Sequence, residues 1–259
     1  MKAVILAGGR GTRLQEETDV IPKPMVRVGG IPLIEHIMRI YAAHGVSEFV
    51  VALGYRGEVI KEYFANHYLQ RRDLTVEMHR GLVEMHPSHD DEYWNNWRIH
   101  LIDTGLDTMT GGRIRRLREW LSDGTFCLTY GDGLANVDVA AAIEFHRKHR
   151  ATATLTAVHP PPRWGHLDLE GPRVADFREK PQAGDGWING GFYVLEPSVL
   201  DLIEGDGTIF EQGPLPALSR SGSLHAFRHE GFWQGIDTLR ELVQVRDLWE
   251  SGERPWLTR

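Results

Sequence analysis

A glycine-rich segment near the start of the chain has the composition of an anion-binding loop. Gly8, Gly9, Arg10, Gly11, Thr12 and Arg13 follow a short aliphatic run. Glycines let backbone N–H groups turn toward an anion, and open α/β sheets bind ligands where their strands end. The segment lacks the Lys-Ser/Thr pair of a P-loop, and Leu14 stands where a dinucleotide-binding motif has its third glycine. Taken alone, it fits both a phosphate-binding loop and a tight turn with a surface arginine.

The elements around this loop alternate between strands and helices. Residues 2–6 predict a buried strand, residues 33–41 have helical spacing before a stop at Gly45, and residues 48–53 predict a second buried strand. Further strands are predicted at 76–79, 99–103, 125–130, 153–158 and 192–196, further helices at 59–66, 137–148 and 239–250, and an antiparallel hairpin at 165–177. The alternation indicates an α/β fold of three layers around a doubly wound, mostly parallel sheet with a small hairpin insertion.

The composition is that of a folded globular chain. Among 259 residues, 41% are hydrophobic and 25% are charged, which excludes disorder, collagen and a coiled coil as descriptions of the whole. The net charge of -7 offers no broad basic face, so we expect no nucleic-acid partner. The one cysteine, Cys127, cannot form an internal disulfide. The first apolar run is too short for a signal peptide or a membrane span, so we expect a cytoplasmic protein with no membrane partner.

Five further motifs follow the glycine-rich loop in order along the chain. They are PKPM at 22–25, TYGDG at 129–133, EKP at 179–181, INGGF at 188–192 and FWQGIDTL at 232–239. Together with GGRGTRL at 8–14 they resemble the sugar nucleotidyltransferases, which join a nucleoside triphosphate to a sugar 1-phosphate and release pyrophosphate. Because six ordered motifs cover nearly the whole chain, this resemblance is far more specific than any isolated motif.

Within that family, three features are most similar to the glucose-1-phosphate cytidylyltransferases. They are DTG at 103–105 leading to TGGR at 110–113, the run at 160–165, and the ending GFWQGIDTLRE at 231–241. The resemblance implies transfer of CMP from CTP to a sugar 1-phosphate, foremost α-D-glucose 1-phosphate, with Mg²⁺ as cofactor, giving CDP-glucose and pyrophosphate. It also implies a homo-oligomer. A base site that prefers cytosine needs an acceptor facing its N4 amino group.

The resemblance also assigns site residues by position. The implied catalytic residues are Arg13, Lys23, Asp132, Lys180 and Asp237. The implied nucleotide-binding residues are Leu6, Ala7, Gly8, Gly9, Gly11, Thr12, Arg13, Lys23, Thr104, Arg113, Gly131 and Asp132. The implied sugar-phosphate-binding residues are Tyr130, Glu179, Lys180, Asn189, Gly190 and Trp233, and the implied metal ligands are Asp132 and Asp237. The implied fold is one Rossmann-like nucleotidyltransferase domain over 1–259, with 1–158 mainly binding nucleotide and 159–259 mainly binding sugar phosphate and forming the C-terminal helix.

These residue types suit the implied reaction. A phosphate monoester is largely dianionic at neutral pH, so it attacks without a general base. The difficulty is to bring two anions together, since unit charges about 4 Å apart repel by roughly 4 kcal/mol at an effective dielectric of 20. We therefore expect Arg13 and Lys23 to hold the triphosphate and Lys180 the sugar phosphate, so that the attack is in line.

Several of these residues also have purely structural interpretations. Asp237 precedes a predicted helix and suits a cap, and Lys180 suits an exposed turn. Glycines after Asn189 suit a strand bulge, and Trp233 suits core packing. Arg113 belongs to a basic run that is mostly a solvated helix face.

Other functions stay open. One is the same reaction with another nucleotide or sugar phosphate, and another is a non-catalytic nucleotide-binding regulator on this fold. A nicotinamide oxidoreductase is disfavoured because the chain lacks its glycine motif. Histidines at 79, 86 and 89 fit a surface loop better than a metal cluster, and the segment 84–98 fits a lid or an intersubunit contact.

Overall fold

A computed structural model of the chain describes residues 1–11, 21–70, 73–86, 96–160, 166–170, 172–178 and 186–257. Its strands are β1 (Lys2–Ala7), β2 (Arg27–Val28), β3 (Ile31–Pro32), β4 (Glu48–Leu53), β5 (Leu74–Glu77), β6 (Leu82–Met85), β7 (Arg98–Asp103), β8 (Phe126–Tyr130), β9 (Gly133–Ala135), β10 (Ala153–Val158), β11 (His166–Glu170), β12 (Arg173–Arg178), β13 (Ile188–Leu195), β14 (Leu224–His229) and β15 (Trp233–Gly235). Its helices are α1 (Leu33–Ala42), α2 (Gly57–Gln70), α3 (Thr110–Arg116), α4 (Arg118–Leu121), α5 (Val139–His149), α6 (Pro214–Arg220) and α7 (Leu239–Glu250), with 3-10 turns at Lys23–Met25 and Pro197–Leu202.

A seven-stranded sheet forms the centre of the molecule. Its strand order is β14-β10-β13-β8-β1-β4-β7. The pairs of β1 with β4 and β8, of β4 with β7, and of β10 with β14 are parallel, whereas β13 runs antiparallel to both neighbours. The sheet is therefore mostly parallel, as predicted, and it contains strands from both sides of residue 158.

Both faces of the sheet are covered. Residues of α1, α5 and α7 pack on one face together with the fully buried Trp256 of the C-terminal tail. Residues of α3, α4 and α6 pack on the other face around Phe210. Because buried side chains line both faces, the central strands consist of nearly uninterrupted apolar residues, which is typical of parallel sheets. The predicted three-layer α/β architecture is confirmed.

The smaller sheets are two-stranded. They pair β2 with β3, β5 with β6, β9 with β15, and β11 with β12. The β11–β12 pair confirms the predicted antiparallel hairpin. The β5–β6 hairpin exposes apolar side chains along both strands, and Met78 in its turn is 86% exposed. Among the described residues, no helix combines the length and apolar character needed to cross a membrane.

Candidate active site

A cavity of about 400 Å³ opens where β1 and β8 end. These two strands are parallel and Leu6 pairs with Tyr130, so the loops that follow them start side by side. The cavity is lined by Leu6, Ala7, Gly8, Gly9, Gly11, Lys23, Pro24, Thr108, Met109, Thr110, Arg113, Tyr130, Gly131, Asp132 and Asp237. This is the carboxyl edge of a parallel sheet, where such folds bind their ligands.

A short ladder brings the two predicted metal ligands together although they lie far apart in sequence. In the β9–β15 pair, Gly133 is opposite Gly235. The ladder is extended by the Ile236 N–H, which donates to the Asp132 carbonyl at 2.9 Å. Asp132 and Asp237 therefore emerge next to each other, one at the end of β8 and the other just before α7.

Lys23 lies between these carboxylates. Its Nζ donates to Asp132 Oδ2 at 2.7 Å and to Asp237 Oδ1 at 2.7 Å. Lys23 is only 8% exposed, and the 3-10 turn that carries it is bounded by Pro22 and contains Pro24. Burial by itself lowers the pKa of Lys23, but the two carboxylates outweigh it and raise the pKa above the usual lysine value. The ammonium therefore stays charged at neutral pH.

Helix α7 begins without using the side chain of Asp237. The N-cap is Thr238, whose hydroxyl accepts from the Glu241 N–H, while Glu241 Oε2 accepts from the Thr238 N–H at 2.9 Å. Glu241 Oε2 also accepts from the Asp237 N–H at 2.8 Å. This capping box satisfies the first turn of the helix, so the interpretation of Asp237 as the cap is wrong. Its carboxylate faces Lys23 instead.

Arg113 occupies a different part of the same cavity wall. It is 5% exposed, and its guanidinium donates to the Leu53, Gly8, Gly105 and Leu106 carbonyls at 2.7–3.1 Å. It also donates to Thr104 Oγ1 at 2.8 Å. Burial lowers its pKa below the usual arginine value. Arg113 thus holds together the loops that follow β1, β4 and β7, whereas Arg115, Arg116 and Arg118 lie on the exposed helix face that the sequence predicts.

Close packing against Arg113 explains one glycine of the loop. A Cβ on Gly8 would lie 2.2 Å from Arg113 Nη1, closer than any real contact. A Cβ on Gly9 would meet nothing within 4 Å. The first glycine is therefore required by packing, and the second leaves the backbone open toward the cavity.

A second cavity of about 250 Å³ adjoins the first. It is lined by Thr129, Tyr130, Asp132, Gly133, Asn189, Gly190, Gly191, Trp233, Gly235, Ile236 and Asp237. Tyr130, Asp132 and Asp237 line both cavities. Two ligands bound side by side would therefore meet at the Lys23–Asp132–Asp237 cluster.

The wall of the second cavity is shaped by irregular backbone. The pairing of β10 with β13 shifts register between Leu155 and Ala157, opposite the segment from Asn189 to Tyr193, so the predicted bulge is confirmed. Trp233 Nε1 donates to the Gly190 carbonyl at 2.7 Å, which fixes the indole against this bulge. Trp233 therefore contributes both to packing and to the cavity wall.

The predicted site residues fall into four groups. Most of the nucleotide-binding set lines the first cavity, and Tyr130, Asn189, Gly190 and Trp233 line the second. Thr104 is fully buried below the first cavity, where its hydroxyl donates to the Leu53 carbonyl at 2.6 Å. Thr12, Arg13, Glu179 and Lys180 lie outside the described residues.

Some lining residues were not predicted as site residues. Pro24, Gly191 and Ile236 stand within recognised motifs, and Thr108 and Met109 lie between the DTG and TGGR elements. Thr110 stands in the TGGR element that the sequence singles out, but only the fold shows that it lines the first cavity. Glu211, which bonds to Thr110 and Tyr130, lies in a loop with no sequence signal.

The paired aspartates have the chemistry of a divalent-metal site. Their oxygens already converge on one cation, since each lies 2.7 Å from the same Lys23 Nζ. Their side chains are 35% and 43% exposed, so ligands can reach them. Hard cations such as Mg²⁺ take carboxylate oxygens and complete their shells with water and substrate phosphate. Within the described ranges, no group of three or more His, Cys, Asp and Glu side chains is placed to hold a metal, and His89 lies outside those ranges.

Comparison with known proteins supplies an independent finding. The chain matches the nucleotidyl transferase family model over residues 2–251. It is 51% identical over 259 residues to the glucose-1-phosphate cytidylyltransferase of Salmonella typhi, covering 100% of this chain and 99% of that protein. It is 44% identical to the probable glucose-1-phosphate cytidylyltransferase of Bacillus subtilis, covering 99% of each. Its fold is similar to that of apo-UDP-glucose pyrophosphorylase, with a TM-score of 0.71 at 15% identity, covering 98% of this chain and 99% of that one.

Proposed function

The chain belongs to the nucleotidyl transferase family, and from this premise we propose that it transfers CMP from CTP to α-D-glucose 1-phosphate. The products are CDP-glucose and pyrophosphate. Relatives at 51% and 44% identity with matching names span the whole chain, which supports this choice of nucleotide and sugar. The structural observation that carries the proposal is the junction of two cavities at one lysine and two carboxylates.

The two cavities suit two anionic substrates. We place CTP in the first cavity, because open backbone at Gly9 and the loop after β1 suit a triphosphate. We place the sugar phosphate in the second cavity, because Asn189 and the indole of Trp233 suit a hexose. The phosphate of the sugar is then directed at the α-phosphorus of CTP across the shared wall.

The chain's own groups act by positioning and by charge. The attacking phosphate is already dianionic, so no side chain needs to remove a proton. The buried ammonium of Lys23 offsets part of the repulsion between the substrates, and its short bonds to both carboxylates restrict where it can lie. Holding both reactants in line at this point contributes further acceleration.

Enzymes of this family generally use a divalent metal ion, and we propose Mg²⁺ for this chain. Asp132 and Asp237 would hold it. When bound, Mg²⁺ supplies Lewis-acid stabilisation of the negative charge that develops on the phosphoryl oxygens.

The two basic residues outside the described ranges keep their predicted roles as proposals. Arg13 follows the loop that lines the nucleotide cavity and is assigned to the triphosphate. Lys180 is assigned to the sugar phosphate. We expect Lys180→Ala to raise the KM for the sugar phosphate with little change in the KM for CTP. A defect confined to CTP would reverse the assignment.

A homo-oligomer in the cytoplasm is also part of the proposal. The β5–β6 hairpin exposes six large apolar side chains on a small surface, an arrangement more typical of subunit interfaces than of solvated hairpins. These residues are Leu74, Val76, Met78, Leu82, Val83 and Met85. Sedimentation of the native chain beside Val76→Lys tests the interface. A lower mass for the variant supports it, and a monomeric native chain contradicts it.

Pyrophosphate release from a substrate panel tests the activity. CTP, UTP, dTTP, ATP and GTP are each offered with several sugar 1-phosphates and Mg²⁺. We expect CTP with glucose 1-phosphate to give the highest kcat/KM. If UTP or dTTP exceeds CTP tenfold, the cytidylyl assignment is wrong, and if another sugar phosphate exceeds glucose 1-phosphate tenfold, the sugar assignment is wrong.

A further inference from the structure

A loop that lines neither cavity is fixed firmly beneath the nucleotide cavity. It comprises residues 204–213, between the 3-10 turn Pro197–Leu202 and α6. Its Asp206 carbonyl accepts from the Met109 N–H at 2.9 Å, and its Thr208 carbonyl accepts from the Gly112 N–H at 3.2 Å. The approach is so close that a Cβ on Gly112 would lie 2.4 Å from the Asp206 carbonyl oxygen. The loop is therefore positioned by the start of α3.

This loop directs one carboxylate at the cavity wall. Glu211 Oε2 accepts from the Thr110 hydroxyl at 2.7 Å, and Glu211 Oε1 accepts from the Tyr130 hydroxyl. Thr110 and Tyr130 line the nucleotide cavity, but Glu211 does not. Glu211 therefore acts on any ligand only through its neighbours, as a positioning residue.

The hydrogen bonds around Glu211 all run in one direction. The Gly191 N–H donates to Asn189 Oδ1 at 3.0 Å, which orients the amide so that Asn189 Nδ2 donates to the Tyr193 hydroxyl. Tyr193 then donates to Tyr130, whose oxygen lies 2.9 Å away, and Tyr130 donates to Glu211. Each hydroxyl proton in this series of hydrogen bonds is therefore donated toward the Glu211 carboxylate.

The hydrogen bonds that Thr110 makes within the protein determine what its hydroxyl can offer a ligand. A threonine hydroxyl has one proton and two lone pairs. The proton goes to Glu211, and one lone pair accepts from the Phe210 N–H at 2.9 Å. The remaining lone pair makes Thr110 an acceptor and never a donor. Thr110 lines the first cavity but not the second, so it stands outside the wall that the two cavities share.

We propose that Glu211 sets the base preference by holding Thr110 as an acceptor-only group facing the exocyclic position of the pyrimidine. Cytosine has an amino donor at that position, whereas uracil and thymine have a carbonyl acceptor. An acceptor-only Thr110 accepts a hydrogen bond from the cytosine amino group and repels the carbonyl oxygen of uracil or thymine. The inference rests on the proposed function, because it assumes that the first cavity holds the nucleoside triphosphate.

Base selectivity in a set of variants tests this proposal. The quantity is kcat/KM for CTP divided by kcat/KM for UTP, with glucose 1-phosphate and Mg²⁺ fixed. In Glu211→Gln the amide can donate to Thr110 and release its proton toward the cavity. We expect the ratio to fall by about 10-fold or more. Thr110→Val removes the acceptor and should lower the ratio to the same extent.

Three comparisons separate this role from a merely structural one. Thr110→Ser keeps the hydroxyl and should restore most of the ratio lost in Thr110→Val. Tyr193→Phe perturbs the same network away from Thr110 and should leave the ratio unchanged. In the Glu211→Gln/Thr110→Val double variant, the ratio should fall no further than in either single variant, because both act on one contact.

Five outcomes contradict the proposal, and one of them also contradicts the proposed function. If CTP and UTP lose activity equally in Glu211→Gln and Thr110→Val, Glu211 only supports the fold. If the double variant shows additive losses of selectivity, the two residues act independently. A loss of kcat/KM that is shared by CTP and UTP but absent with dCTP would place Thr110 at the ribose. If the native enzyme does not prefer CTP, both the proposed nucleotide and this inference are wrong. If the native preference for CTP survives both substitutions, only this inference is wrong.

Discussion

The two ends of the nucleotide cavity each contain a nearly buried cation, but the partners differ completely. At one end, Arg113 donates mainly to neutral backbone carbonyls of three loops. At the other end, Lys23 donates to two carboxylates. Burial alone lowers the pKa of both cations, yet the pKa of Lys23 is raised overall because charged partners outweigh desolvation.

We propose that the Arg113 end shapes the site and that the Lys23 end performs its chemistry. A guanidinium whose donors are used by carbonyls has little capacity left for a ligand, so Arg113 fixes the positions of loops. The lysine and its carboxylates lie where the cavities meet, and the carboxylates remain partly exposed. We therefore expect substitutions at the Arg113 end to lower stability and substitutions at the Lys23 end to lower turnover.

The largest effect is expected from removing either carboxylate. Asp132→Ala and Asp237→Ala should each lower kcat by at least ~100-fold, as for loss of a catalytic metal or electrostatic contact. Steady-state pyrophosphate release measures kcat, and thermal melting checks that each variant is folded. Asp201→Ala is the control, because Asp201 is an exposed aspartate that pairs with Arg118 and lines neither cavity. Near-native turnover in either site variant would show that the metal assignment is wrong.

The next effect is a loss of stability at the Arg113 end. Arg113→Ala removes a charged donor from four carbonyls. The Leu53 and Gly8 carbonyls still accept from the Thr104 and Tyr55 N–H groups, and we expect the free energy of unfolding to fall by about 3 kcal/mol. Lys23→Met should cost less stability, because the carboxylates it leaves are exposed enough to regain water. Urea denaturation of both variants measures the difference. Equal losses of unfolding free energy in the two variants would contradict the proposed difference between the Arg113 end and the Lys23 end of the cavity.

A smaller effect is expected where the loop touches Arg113. Gly8→Ala should destabilise the fold by about 1–3 kcal/mol, because its Cβ would overlap the guanidinium. Gly9→Ala is the matched control, since its Cβ meets nothing. In an Arg113→Ala background, Gly8→Ala should cost little further stability. An undiminished cost there would mean that something other than Arg113 excludes the side chain.

The smallest effect is a pH dependence at the Lys23 end. The folded chain binds the Lys23 proton more tightly than the unfolded chain, since the pKa of Lys23 is raised above 10.5. The resulting stabilisation is complete below that pH and is lost as the pH rises through the folded pKa. The difference in free energy of unfolding between the native chain and Lys23→Met should stay level from pH 7 to 9 and shrink above about pH 10.5. A decline already between pH 7 and 9 would contradict this.

The sequence predicts those elements whose signal is local. The strands 48–53 and 153–158 and the helix 239–250 have the predicted bounds, because their apolar runs or helical spacing coincide with their burial. The three-residue strands β9 and β15 were missed, since they are too short to show a period. Their ladder is nevertheless what brings Asp132 to Asp237.

The site residues also divide into those with a local sequence signal and those without one. Lys23, Asp132 and Asp237 stand in recognisable motifs, and the fold brings all three together as the resemblance implies. The role of Arg113 as a bridge between loops depends on carbonyls up to 105 residues away, which no local pattern encodes. Glu211 has no motif at all, and its contacts with Thr110 and Tyr130 arise only from tertiary packing.

A crystal structure with CDP-glucose and Mg²⁺ tests the central claim most directly. We expect the cytidine in the cavity at the end of β1, the glucose in the cavity beside Trp233, and the diphosphate between them, within reach of Lys23, Asp132 and Asp237. A diphosphate bound away from these three side chains would contradict it.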